Sequence, residues 1–228
     1  MPRADDTAAP VCFRLAEASP AAASPGPLRL GAVPAEALAE LLQVFACGEE
    51  SASLAFARLG RSPLEETARR ALAGIAGEER EHERLLRGLR GALPAPPRDR
   101  AVQRELLRFY HGLAQPEIGL HLTSIASLDA AVCSILAALL HPAGVLADVP
   151  AVAVIFRRIH RDEARHVRVA RRLAAELVRR DVLEAVAART RLELVGLLAL
   201  RAAAFERVGV DAGRLLARLG RVPDGLFA

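Results

Sequence analysis

Residues 160–170 read HRDEARHVRVA. Counted outward from this stretch, Val152, Phe156, Ile159, Glu163, His166, Ala170, Leu173 and Leu177 fall at steps of three and four. That is the stripe a helix turns toward a core. Glu163 and His166 lie on it, while Arg157, Arg158, Arg161, Arg165 and Arg168 fall mostly outside. Burying an ionised carboxylate is costly unless a cation or hydrogen-bond donor meets it. The other helices show what meets it.

The same count on a first helix gives Leu38, Leu42, Phe45, Glu49, Ala52 and Phe56. On a second it gives Leu72, Ile75, Glu79, His82, Leu86 and Leu89, and on a third Leu122, Ile125, Asp129, Val132, Leu136 and Leu139. Each stripe carries an acid, and the second and fourth carry Glu-x-x-His. Asp129 is the only Asp, Glu or Arg between Ile118 and Ala147. Glu50 neighbours Glu49 and competes for the inward position; the stripe favours Glu49. One inward acid is ordinary core polarity. Four acids and two imidazoles together repel in a low dielectric, and no arginine lies on these stripes near them. Divalent metal ions remove the conflict, because carboxylate and imidazole suit iron or manganese.

Composition narrows the alternatives. The 228 residues contain no lysine, so Schiff-base chemistry and a lysine base are excluded. The net charge of +4 is intermixed along the chain, which argues against nucleic-acid binding. Cys12, Cys47 and Cys133 are scattered, with no CxxC pair and no disulfide framework, the pattern of a reducing cytoplasm. The N-terminus has no apolar segment behind a basic one, so no secretory signal is expected.

Ala, Leu, Val and Arg dominate, aromatics make up 4%, and no long run alternates with period two, so the expected fold is all-α. Residues 1–33 form an N-terminal arm, and 34–228 form one helical domain with a core at 34–179 and an extension at 180–228. Helix one runs from Pro34 to Leu59. Ser62-Pro63-Leu64-Glu65 reads as a capping box opening helix two, which ends near Arg90 before the breaker APAPP. A third helical region covers 99–140, interrupted or kinked near Pro116, a fourth helix ends near Arg179, a fifth starts where Asp181 with Glu184 repeats the cap pattern, and a sixth starts near Asp211. The pattern predicts an antiparallel four-helix bundle with C-terminal helices added.

The constellation resembles the ferritin-like diiron-carboxylate superfamily over about residues 34–179. The resemblance implies Glu49 and Asp129 as single carboxylates, Glu79 and Glu163 as bridging ones, and His82 and His166 as one ligand to each metal. It implies Glu78 and Asp162, each preceding a motif glutamate, as acids that hold the histidines' other N–H. EEREHERLLRGL (78–89) and DEARHVRVARRL (162–173) echo each other at the Glu, the His, two Arg and the final Leu. Asp129 departs from the commoner Glu. Two iron ions are implied, with manganese or a mixed pair as variants, dioxygen as co-substrate, a small organic substrate, an electron donor and a homodimer.

Within that superfamily the missing CxxC argues against a rubrerythrin. Tyr110, about 28 Å from Asp129 along a continuous helix, and the absence of Trp argue against a radical-bearing reductase subunit. The extra helices argue against a storage ferritin. An oxygenase or oxidase acting by hydroxylation, N-oxygenation or oxidation remains, with a ferroxidase and a metal-free helical interaction module as alternatives. His160 is similar in place to an extra histidine of arylamine N-oxygenases, though a structural role is favoured. Cys133 and His121 are candidates for a pocket wall, with core packing preferred for both. Residues 118–140 are apolar enough to raise a membrane span, but Asp129 and several hydroxyls interrupt them, and a buried helix accounts for the run.

Overall fold

A computed structural model describes residues 28–95 and 99–227. It is all-helical, with no strand among the described residues. The helices are α1 (Ala32–Leu59), α2 (Glu66–Gly91), α3 (Arg100–Leu113), α4 (Ile118–Leu139), α5 (Pro150–Leu177), α6 (Arg180–Ala199), α7 (Ala202–Arg207) and α8 (Ala212–Leu219). The most extensive packing pairs α1 with α2 and α4 with α5; α2 and α5 then join the two hairpins. The C-terminal helix α6 lies along α4, and α7 lies on α1.

Local chemistry explains most boundaries. Asp99 caps α3 by accepting from the Ala101 and Val102 amides at 3.1 Å. Asp211 caps α8 through the Arg214 amide at 2.7 Å. Pro150 occupies the first turn of α5, where its missing N–H costs nothing. Gly119 lets α4 approach the end of α5, because a Cβ there would overlap the Val178 side chain.

Four expectations are corrected. The capping box at Ser62 does not form: residues 60–65 are turn, and α2 begins at Glu66 with no side-chain cap. Of the two readings for the third helical region, the interruption holds: it is two helices, because the chain breaks at 114–117 around Pro116. Asp181 likewise makes no side-chain cap for α6; its carboxylate pairs with Arg179. The end of the expected arm is not free, since Leu28 and Leu30 pack on the core and α1 starts at Ala32. The rest of the arm, residues 1–27 with Cys12, lies outside the described residues. Cys47 is disulfide-bonded, against the reading of no disulfide, and Cys133 is a free thiol.

Helix α4 is long and apolar enough to cross a membrane, yet 61% of that stretch is buried inside the fold. The buried apolar residues form two clusters. One holds Leu38, Leu42, Leu89, Leu139, Val152 and Phe156; the other holds Phe56, Leu72, Ile75, Leu122, Ala170 and Leu173. On every one of the four long helices the buried acids fall between residues of these two clusters. The charged layer is therefore closed at both ends by hydrocarbon.

Candidate metal centre

Between the two apolar clusters the structure brings together all six residues on the inward stripes. Glu49, Glu79, His82 and Glu163 form one group, and Asp129, Glu163 and His166 form a second, each with its donor atoms within 4.8 Å of one another. Glu163 belongs to both. Glu79 also faces both imidazoles: one oxygen is 3.3 Å from His82 Nδ1 and the other 2.8 Å from His166 Nδ1. All six residues are at most 6% exposed.

Glu49, not Glu50, faces the cluster, with Oε2 3.3 Å from His82 Nδ1. Glu50 is also fully buried, so burial alone does not separate them. The unformed capping box bears on this placement. With α2 starting at Glu66, Glu79 lies about 20 Å into its helix and Glu49 about 15 Å before the end of α1, at 1.5 Å per residue. The mismatch a helix start at Pro63 would leave is nearly halved.

The acids preceding the motif glutamates act crosswise. His166 Nε2, on α5, donates to Glu78 of α2 at 2.8 Å, and His82 Nε2, on α2, donates to Asp162 of α5 at 3.2 Å. Each bond places a proton on Nε2 and leaves Nδ1 facing the other acids. Both acids are held from outside by arginine: Arg165 bonds Glu78, and Arg158 stands 3.9 Å from Asp162.

The protonation pattern follows from this crowding. Burial, reinforced by the Glu79 charge, pushes the Glu49 carboxyl up to about 8. Burial and the Glu163, Glu79 and Glu49 charges raise Asp129 well above the usual carboxylate range. Burial alone would lower the histidines. Contacts with Glu163, Glu49 and Glu79 outweigh it for His82, and contacts with Glu163 and Glu79 bring His166 up to about 11. Burial would also raise Glu78, but bonds from Arg165 and His166 outweigh it and hold the carboxyl low.

Even so, the polar atoms are not satisfied. Both Glu79 oxygens, Asp129 Oδ2 and His166 Nδ1 are buried without a hydrogen-bond partner. Glu79 approaches His166 Nδ1 to 2.8 Å as an ion pair, without forming a hydrogen bond. Unpartnered buried oxygen and nitrogen atoms converging on one point suit a cation better than a polar network.

A cavity of about 250 Å³ adjoins the cluster, walled by Glu49, Glu79, Asp129, Glu163 and largely apolar side chains of α1 and α4. Tyr110 lines it too. The sequence reading put this tyrosine far away on a continuous helix; the break at 114–117 folds α3 back over α1 and α6 instead. Gly48 makes room for it, since a Cβ there would sit 2.8 Å from the phenol oxygen. The distance argument against a tyrosine near the centre therefore falls.

His121 lines the cavity, contrary to the preference for plain core packing. Cys133 does not line it: it is half-buried, and burial followed by the Glu163 and Asp129 charges pushes its thiol up to about 12. His160 is half-buried and stands in neither donor group nor the cavity wall. Arg191 of α6 went unnoticed in the sequence, although it occupies an inward position between Ala187 and Leu194. It is 1% exposed, bonds Ser127 Oγ at 3.1 Å and Leu219 O at 3.4 Å, and leaves Nη2 unpartnered.

Compared with protein-family models, curated proteins and solved structures, the chain gives no match.

Proposed function

We propose that the chain is a ferritin-like diiron protein that activates dioxygen to oxidise a small organic substrate. The observation carrying this reading is the doubled donor set, in which Glu163 serves both groups and Glu79 faces both imidazoles. One metal would be held by Glu49, Glu79, His82 and Glu163, the other by Asp129, Glu163 and His166, with Glu79 shared. Carboxylate and imidazole donors favour iron or manganese, and a redox-active pair bound there supplies electrons to dioxygen.

The chain's own residues do the rest. Glu78 and Asp162 orient the imidazoles and keep their protons on Nε2. The apolar clusters on either side exclude bulk water. The largely apolar cavity beside the donors supports an organic substrate over ferroxidase activity, which requires no such space. The unpartnered atoms of Glu79, Asp129 and His166 weigh against a metal-free network.

Anaerobic loading with iron(II), metal analysis and spectroscopy on admission of oxygen test the proposal. About two irons per chain and an oxygen-dependent ferric absorption are expected. Saturation below one equivalent, or binding with no oxygen response, would refute the dinuclear oxygen-activating role.

A further inference from the structure

The cavity has two unlike ends. Its inner end, beyond the donor cluster, is closed by Leu86, Ile135, Leu136 and Leu198, each at most 3% exposed. Its outer end is walled by Ser51, Arg58 and His121 and opens past the exposed Leu54, His111 and Ala114. Arg58 makes no hydrogen bond or ion pair among the described residues. An arginine free of acids at the mouth of an apolar cavity presents an unmatched charge to whatever enters. His121 stands near enough to feel that charge: burial, then the Arg58 guanidinium, depress its basicity and keep the imidazole neutral. A neutral imidazole still offers one N–H beside the guanidinium.

We propose that the cavity binds an amphipathic monoanion, an apolar chain ending in a carboxylate, with the carboxylate on Arg58 and His121 and the chain directed inward toward the donor cluster. Helix geometry sets the register. His121 precedes Asp129 by eight residues on α4, and Arg58 follows Glu49 by nine on α1, which places the anion site about 12–14 Å along the helix axes from the donors. The part of the ligand beside the cluster is then carbon remote from the head, which for a ten-carbon chain is its far end. Binding itself does not depend on the diiron reading; only the statement that the bound chain is the substrate rests on it.

Isothermal titration of the full-length protein, freed of metal with EDTA, with decanoate and with decan-1-ol decides the matter. One decanoate per chain is expected, binding more tightly than the alcohol. Arg58→Gln changes an exposed side chain outside the donor set. It should weaken decanoate about two- to fivefold, the range for an exposed ion pair, and leave decan-1-ol unchanged. His121→Gln should act in the same direction, and Ile125→Trp should block both ligands by filling the cavity between the head site and the donors. Equal affinity for acid and alcohol, no binding of either, or an Arg58→Gln variant with undiminished decanoate affinity would overturn the proposal. Iron uptake measured on the same preparations keeps the two proposals apart: a chain that binds decanoate but not iron loses only the diiron reading, and the converse loses only this one.

Discussion

Replacing Asp129 by asparagine separates the demands of folding from those of metal. The side chain is 5% exposed, Oδ2 has no partner, and no other acid or arginine lies between Ile118 and Ala147. Burial and the neighbouring acids hold its carboxyl well above the usual range, so the metal-free protein favours the protonated, neutral form of Asp129. Asparagine reproduces that neutral shape. The apo variant should therefore match the parent within about 1 kcal/mol, or roughly 2–4 °C in Tm for a chain of this size.

The loaded protein should differ. Loss of one anionic donor that lowers affinity about a hundredfold removes about 2.7 kcal/mol of binding-linked stabilisation, or roughly 5–10 °C of the metal-induced rise in Tm. Asp129→Glu keeps the charge and should keep most of the rise. Calorimetric melts of each protein, metal-free and with excess anaerobic iron(II), measure both quantities. A structural acid paired with a cation behaves in the opposite way, since removing its charge strands the partner. An Asn variant much less stable when metal-free, with an undiminished iron-induced rise, would refute the reasoning.

Glu78→Ala or Asp162→Ala should leave iron bound but lower its affinity or the oxygen reaction about 10–100-fold, because a ligand histidine loses its orienting bond; equilibrium competition with a chelator measures the loss, and a silent variant refutes that residue's role. The pH dependence has a definite sign. Glu49 rises from 4.5 to about 8 and His166 from 6.5 to about 11, so the folded apo chain binds more protons than the unfolded one in these intervals and loses stability as pH climbs through them. Iron affinity should rise over the same span, with protons released on binding, which titrations in buffers of different ionisation enthalpy detect; affinity independent of pH would contradict the assignment. Gly48→Ala should destabilise the chain by about 1–3 kcal/mol despite the better helix former, because its Cβ meets the Tyr110 hydroxyl, and Tyr110→Phe in the same chain should restore part of that loss in denaturant unfolding.

The donor cluster was legible because it depends on helical spacing alone. A stripe interrupted by Glu163 and His166 reads the same in sequence and in space, and Asp129 stood out because nothing charged surrounded it. What was illegible depended on chain reversals. Nothing local says that residues 114–117 break the third helical region sharply enough to return Tyr110 to Gly48, since a proline permits a kink as well as a stop. The Ser62 box failed although its residues are right, because the turn at 60–65 sets where α2 begins. Arg191 had a signal, an arginine on an otherwise apolar stripe, but the acids drew the count to the first four long helices. The inner and outer ends of the cavity come from α1 and α4 together with α3 and α6, so no single stripe announces them.

The crosswise bonds carry a consequence for how the fold tolerates its own centre. Four acids in one buried layer would drive α2 and α5 apart if all were ionised. The described residues supply no arginine inside the layer; Arg158 and Arg165 reach only its outer acids, Asp162 and Glu78. Protons must take the place of cations in the metal-free protein, and the raised Glu49, Asp129, His82 and His166 mark where they reside. Those same atoms are the ones a metal would claim. Because Glu78 of α2 holds His166 of α5 while Asp162 of α5 holds His82 of α2, the two hairpins stay in register whichever charge fills the layer. A metal ion binding there would enter a framework already assembled and displace protons with little rearrangement of helices, a proton-for-metal exchange inside a fixed fold.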